Sequence, residues 1–99
     1  MALSEKQKKH LRRLAHALNP IVILGHAGLT EGVVSELDQA LDHHELVKVA
    51  ARVGERDERD AALNTLAART TSELVMRIGH TGVFYRPRKD LPKILIPDT

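Results

Sequence analysis

No cysteine occurs in the 99 residues, which excludes a disulfide framework, a thiolate nucleophile and cysteine-ligated zinc. Aromatic residues are almost missing too: one Phe, one Tyr and no Trp. Phe84 and Tyr85 are too few to make a base-stacking platform spread over adjacent strands. No apolar run approaches the ~20 residues that cross a bilayer. The opening Met1-Ala2-Leu3-Ser4-Glu5-Lys6 lacks the apolar stretch of a signal peptide. A cytoplasmic address without membrane association is therefore expected. The chain has no nucleophile elbow, Walker loop or dinucleotide fingerprint. Its carboxylates sit in charged runs or on a helix exterior, where nothing suggests the burial that acid–base work requires. His43 and His44 are adjacent and cannot both face one ion from a helix end without distortion. His10, His16 and His80 show no ligand spacing either. No catalytic residue, metal site, cofactor or enzymatic activity is expected.

What remains is an ordinary globular composition, 42% hydrophobic and 28% charged. Its even spread predicts one domain over residues 1–99, with a core at about 3–87 and a tail at 88–99. A monomer is expected. The net charge of +2 conceals segregation. Residues 1–28 carry Lys6, Lys8, Lys9, Arg12 and Arg13 against Glu5. Residues 29–76 hold ten acids and five bases. Residues 77–99 carry Arg77, Arg86, Arg88, Lys89 and Lys93 against Asp90 and Asp98. Basic ends around an acidic middle would draw a polyanion to the ends, provided folding brings them to one side.

Ser4 and Gln7 have capping-box spacing at the start of a first helix. Leu11, Leu14, Ala15 and Leu18 give it one apolar stripe, opposite Lys6, Lys9, Arg12, Arg13 and His16. Asn19-Pro20 stops it. Residues 21–24 are apolar throughout and read as a strand buried on both faces. Thr30 is an N-cap for a second helix, with Val33, Val34, Leu37, Ala40 and Leu41 inward and Glu31, Asp38 and Asp42 outward. His43-His44-Glu45 leads into an alternating strand at 46–53. Gly54 and the charged run 55–60 make a loop and the first turn of a third helix, which turns Ala62, Leu63, Leu66, Ala67 and Thr70 inward. Residues 74–78 and 83–86 make a hairpin about Gly79-His80-Thr81-Gly82. Pro87 ends it, and Ile94-Leu95-Ile96 reads as either an extra edge or an arm. The order α-β-α-β-α-β-β predicts an α/β fold, a four-stranded mixed sheet packed with helices.

Two features suggest a site. Gly25-His26-Ala27-Gly28 lies between a strand and a helix, where missing Cβ atoms allow a phosphate close approach and the helix offers unpaired N–H groups. The same loop also reads as a plain strand-to-helix connection. The first helix has Glu5 as its sole acid, so its cations lack i,i+4 partners. They are either a solvated face or a surface for a polyanion. Phe84 reads as core, and Tyr85 as core or stacking partner. Arg86 shares a face with Phe84; were that the open side of the sheet, Lys48, Arg52 and Arg77 would join it as a second basic surface. Solvated charges are the plain alternative.

The segments Gly25-His26-Ala27-Gly28-Leu29-Thr30-Glu31-Gly32-Val33, Ala40-Leu41-Asp42-His43-His44-Glu45-Leu46-Val47-Lys48-Val49 and Tyr85-Arg86-Pro87 together resemble the CRM domain. More narrowly, they resemble the bacterial single-domain YhbY-like proteins, from Leu3 through Pro87. That resemblance implies a fold akin to the C-terminal domain of translation initiation factor three. It implies a non-catalytic RNA-binding protein contacting ribosomal RNA in the precursor of the large ribosomal subunit and assisting its assembly, with ribosomal proteins as further partners. The family's loop maps onto Gly25, His26, Ala27 and Gly28, and its basic helix onto Lys6, Lys9, Arg12 and Arg13. Such loops often carry a basic or small polar residue between the glycines, whereas here His26 and Ala27 stand there. Arg86, Arg88 and Lys89 are secondary RNA-binding candidates by charge. The rival expectation is a protein-interaction adaptor, in which the acidic middle binds a basic ribosomal or assembly protein.

Overall fold

The computed structural model describes residues 3–90, 94, 96 and 97. Met1, Ala2, Lys93, Leu95 and Asp98, which entered the reading of the two ends, lie outside the described residues. The elements run α1 (Glu5–Ala15), β1 (Val22–Leu24), α2 (Glu31–His44), β2 (Leu46–Ala51), α3 (Arg56–Arg69), β3 (Glu73–Ile78) and β4 (Thr81–Tyr85). Both expected helix starts are present. The Ser4 hydroxyl accepts the Gln7 N–H at 3.1 Å, and the Gln7 side chain accepts the Ser4 N–H at 2.9 Å. Thr30 caps α2 by accepting the Val33 N–H at 3.2 Å. Each such cap is worth about 1 kcal/mol.

The strands form one sheet in the order β1-β2-β4-β3. β1 and β2 are parallel, whereas β4 is antiparallel to both β2 and β3. This is the expected four-stranded mixed sheet. Side chains alternate across its two faces, and each face has its own core. Val47, Val49 and Ala51 of β2, with Val22, Leu24 and Phe84, meet Leu37 and Leu41 of α2 and Leu63 and Leu66 of α3. Leu46, Val83, Val75 and Tyr85 meet Leu11 and Ala15 of α1 on the other face. Burying Leu11 completely stabilises the α1 contact by about 1.5–3 kcal/mol.

Several boundaries differ from the sequence expectations. α1 ends at Ala15 because residues 16–18 tighten into i→i+3 bonds, such as Leu18 N–H to the Ala15 carbonyl at 3.0 Å. β1 is not buried on both faces: Ile21 and Ile23 are 51% and 53% exposed. It is an edge strand, and α1 packs over β2 and β3 instead. β2 stops at Ala51 rather than residue 53. The hairpin turns on Gly79 and His80 alone, since Ile78 already pairs with Thr81. Gly79 has φ +56, as the first central position of a type II′ turn requires. The tail adds no strand among the described residues; Ile94 and Ile96 fold back onto the α1 core.

Glu45 holds that tail, a buried carboxylate where the sequence reading saw only the lead into a strand. It is fully buried at φ 64. Its two carboxylate oxygens accept the N–H groups of Arg88 and Ile94, each at 2.6 Å, and its carbonyl accepts the Arg86 N–H at 2.9 Å. Neighbouring Tyr85 is core, and burial followed by the Glu45 charge pushes its phenol pKa upward. The neutral phenol is thus favoured in the fold. Its contribution is complete below the unfolded value of about 10 and is lost as pH rises through the higher folded value. Denaturant unfolding between about pH 9 and about pH 11 should show a steeper fall for the native chain than for Tyr85→Phe. Parallel declines would remove Tyr85 as the cause.

Candidate functional site

The loop after β1 is a turn closed by the Gly28 N–H donating to the Gly25 carbonyl at 2.9 Å. Neither His26 nor Ala27 has positive φ, so the turn is unprimed, and Gly28 leaves it at φ +77. A Cβ at either glycine would meet nothing within 4 Å, leaving the outer side of the loop open to a ligand. Gly28 is needed for its left-handed backbone; Gly25 has no such need. Because the Gly28 amide closes the turn, the amides available to a ligand are those of the exposed tip, His26 and Ala27. The α2 N-terminus follows, and the Glu31 carboxylate in its first turn is held by Arg69 at 2.5 Å.

Two hydrogen bonds draw the ends of β1, β2 and the β3–β4 turn together beside this loop. The Arg52 N–H donates to the Leu24 carbonyl at 2.7 Å, and the Ala51 N–H donates to the His80 carbonyl at 2.6 Å. The β1–α2 loop, the β2–α3 loop and the β3–β4 turn therefore meet at one end of the sheet. Between them lies a concavity of about 640 Å³ bordered by His26, Arg52 and His80 and floored by Ala50. The sequence reading missed His80 and gave Arg52 only a conditional place. Gly79-His80 as a tight turn was legible, but its pairing against β2 is tertiary.

Alternation along β2 and just beyond it relates this concavity to α1. Leu46 packs beneath α1, Lys48 comes next on the same face, and Ala50 and Arg52 line the concavity. The open end of the α1 face is thus bridged by a cation. On α1, Lys6, Lys9 and Arg13 are exposed and Arg12 is half-buried. No ion pair engages these four among the described residues; the one ion pair on the helix joins Lys8 to Glu5 at 4.0 Å. Across the sheet, α2 carries Glu31, Glu36, Asp38 and Asp42 and no lysine or arginine. The sheet separates the charges that the sequence keeps in separate segments.

Arg86, Arg88 and Lys89 do not join this surface. Phe84 is wholly buried under α2 and α3, so its face is not the open side of the sheet. Arg86 donates to Asp38 at 2.6 Å, to Asp42 at 2.9 Å and to the Thr70 carbonyl at 2.7 Å. Its cation is spent joining α2 to the end of α3. Arg88 and Lys89 follow it at the sheet end opposite the 25–28 loop, where Lys89 shares a hollow with Asp38 and Asp42. Arg77 pairs with Asp60 of α3 at 3.5 Å. The second basic surface therefore does not assemble; of its four cations, Lys48 and Arg52 belong with α1 and the loop.

Comparison with known proteins adds four likenesses. The CRS1 / YhbY (CRM) domain matches residues 3–86. A Haemophilus influenzae protein named "RNA-binding protein" is 46% identical over 95 residues, covering 96% of this chain and 95% of its own length. A Pseudomonas aeruginosa relative, named a probable RNA-binding protein, is 45% identical over 98 residues, covering 95% and 94%. Among solved structures, a Staphylococcus aureus protein superposes with a TM-score of 0.84 at 38% identity, over 97% of this chain and all of that one.

The Arg86 contacts carry a stability cost that is separable from any binding. Arg86→Ala should lower the unfolding free energy by about 1–3 kcal/mol, because two carboxylates and two backbone carbonyls lose a charged donor. Arg86→Lys should recover only part of it, since an ammonium cannot reproduce the fork. Urea unfolding checks both; unchanged midpoints would mean that the network is inert.

Proposed function

This chain belongs to the CRS1 / YhbY (CRM) domain family, and on that premise we propose that it is a non-catalytic RNA-binding protein. Its target is ribosomal RNA in the precursor of the large ribosomal subunit, whose assembly it assists in the cytoplasm as a monomer. The single observation behind RNA contact is the run of α1 cations without ion-pair partners among the described residues, on the sheet face where Lys48 also lies and whose next β2 positions, Ala50 and Arg52, border His26 of the glycine-bracketed loop. Lys6, Lys9, Arg12 and Arg13 track successive phosphates. The amides of His26 and Ala27, with the positive end of α2, hold one more. Lys48 and Arg52 continue the path between them.

Charge supplies affinity and steering, whereas phosphate contacts carry no sequence information. Such a surface favours backbone shape over base order, which suits folded ribosomal RNA. The adaptor reading has less support, since Glu31, Asp38 and Asp42 already have internal arginine partners. These pairs lower the attraction of the α2 exterior for a basic protein.

If about four to six phosphates are contacted, log K should fall with log salt at a slope of about −3 to −5. A flat response would contradict the proposal. Reversing charge with Lys9→Glu and Arg13→Glu should flatten the slope by about 2 and weaken binding at least tenfold at low salt.

The loop gives an independent test. Gly28→Asn keeps a residue that tolerates left-handed backbone and adds no charge. Gly28→Asp tolerates the same backbone but places a carboxylate beside the phosphate. Electrophoretic shifts should show near-native binding for Asn and roughly tenfold loss for Asp. Equal affinities would exclude the loop from the interface.

A further inference from the structure

We infer that the concavity between the three loops seats the base of one unpaired nucleotide, while the 25–28 loop holds that nucleotide's phosphate. This rests on the RNA-binding reading and adds to it a requirement for a single-stranded or bulged position. The volume of about 640 Å³ lies in the range of small-molecule sites and exceeds what a phosphate alone needs.

Its lining is mixed in the way a base demands. Pro20, Ala50 and Val53 give apolar ground for the face of a ring. His26 and His80 stand on separate loops at its rim, both exposed, and offer planar rings against which a splayed base stacks. The Arg52 guanidinium has no ion-pair partner among the described residues, leaving its donors for base edge, ribose or phosphate. The site is also held in shape before any ligand arrives. Besides the two backbone bonds joining the three loops, Arg59 of α3 donates to the Gly54 carbonyl at 3.3 Å. A paired base inside a duplex cannot enter, because its faces and Watson–Crick edge are already occupied.

The scarcity of aromatic residues fits this arrangement. With Phe84 and Tyr85 both in the core, stacking falls to histidine and arginine planes, and one site serves where an aromatic sheet would carry several.

Fluorescence anisotropy on the full chain, at one fixed salt concentration, tests the inference with two probes of about 12 nucleotides. One is a single-stranded oligoribonucleotide; the other is the same ribose-phosphate chain without bases. The base-bearing probe should bind about tenfold more tightly than the abasic one. The variant His80→Ala, which leaves the 25–28 loop and α1 untouched, should remove much of that difference and leave abasic binding unchanged. A blunt duplex RNA of equal charge should be insensitive to His80→Ala. Equal affinity for the two single-stranded probes, with Lys9→Glu still weakening both, would overturn the base site while leaving RNA binding intact. Absence of binding to every RNA probe would overturn both readings together. Circular dichroism of His80→Ala guards against misfolding, and the abasic probe provides the same control in solution.

Discussion

The alternation of side chains along β2 is the constraint from which the rest of the molecule follows. Leu46–Ala51 is the strand that pairs with β1 on one side and β4 on the other. Val47, Val49 and Ala51 commit one face to α2 and α3, whereas Leu46 commits the other to α1. A slip of one residue would exchange the two sets and set Lys48 among the leucines of α2 and α3. The register therefore fixes more than packing. It places the cationic helix and the acidic helix on opposite sides of a sheet, with Lys48 on the cationic side.

Separation of charge by a sheet has an energetic logic. Acids on α2 are held by Arg69 and Arg86, which come from beyond the helix. The cations on α1 have no comparable partners among the described residues, apart from the Glu5–Lys8 contact. Like charges on one helix face repel by a few tenths of a kcal/mol per pair, and a polyanion relieves that repulsion. On the proposed reading, stability and binding use different arginines. Arg86 serves the fold, and Arg12, Arg13 and Arg52 remain for a ligand.

Much of the architecture was legible because it depends on local signals. The Ser4–Gln7 box, the Thr30 cap, the apolar periods of α1 and α2 and the glycine-bracketed turn all involve residues within a few positions of each other. What escaped depends on distant partners. Asp38 and Asp42 read as an outward acidic edge, yet they receive Arg86 across 48 and 44 residues of sequence. Glu45 read as a strand lead-in, yet its carboxylate ties down backbone at Arg88 and Ile94. β1 looked buried because it is apolar throughout, but an edge strand is covered only where a helix happens to reach. The concavity was invisible for the same reason: it exists only once three loops meet. The loop itself was readable, its neighbour Arg52 only conditionally, and His80 as a site residue not at all.

The most direct measurement is a heteronuclear NMR titration of the full chain with a structured RNA hairpin containing an unpaired loop. On this account, amide shifts concentrate at residues 25–28, at Arg52 and His80 and along the outward side of α1, and they saturate together. Shifts confined to the exterior of α2, with the 25–28 loop and α1 unmoved, would contradict it.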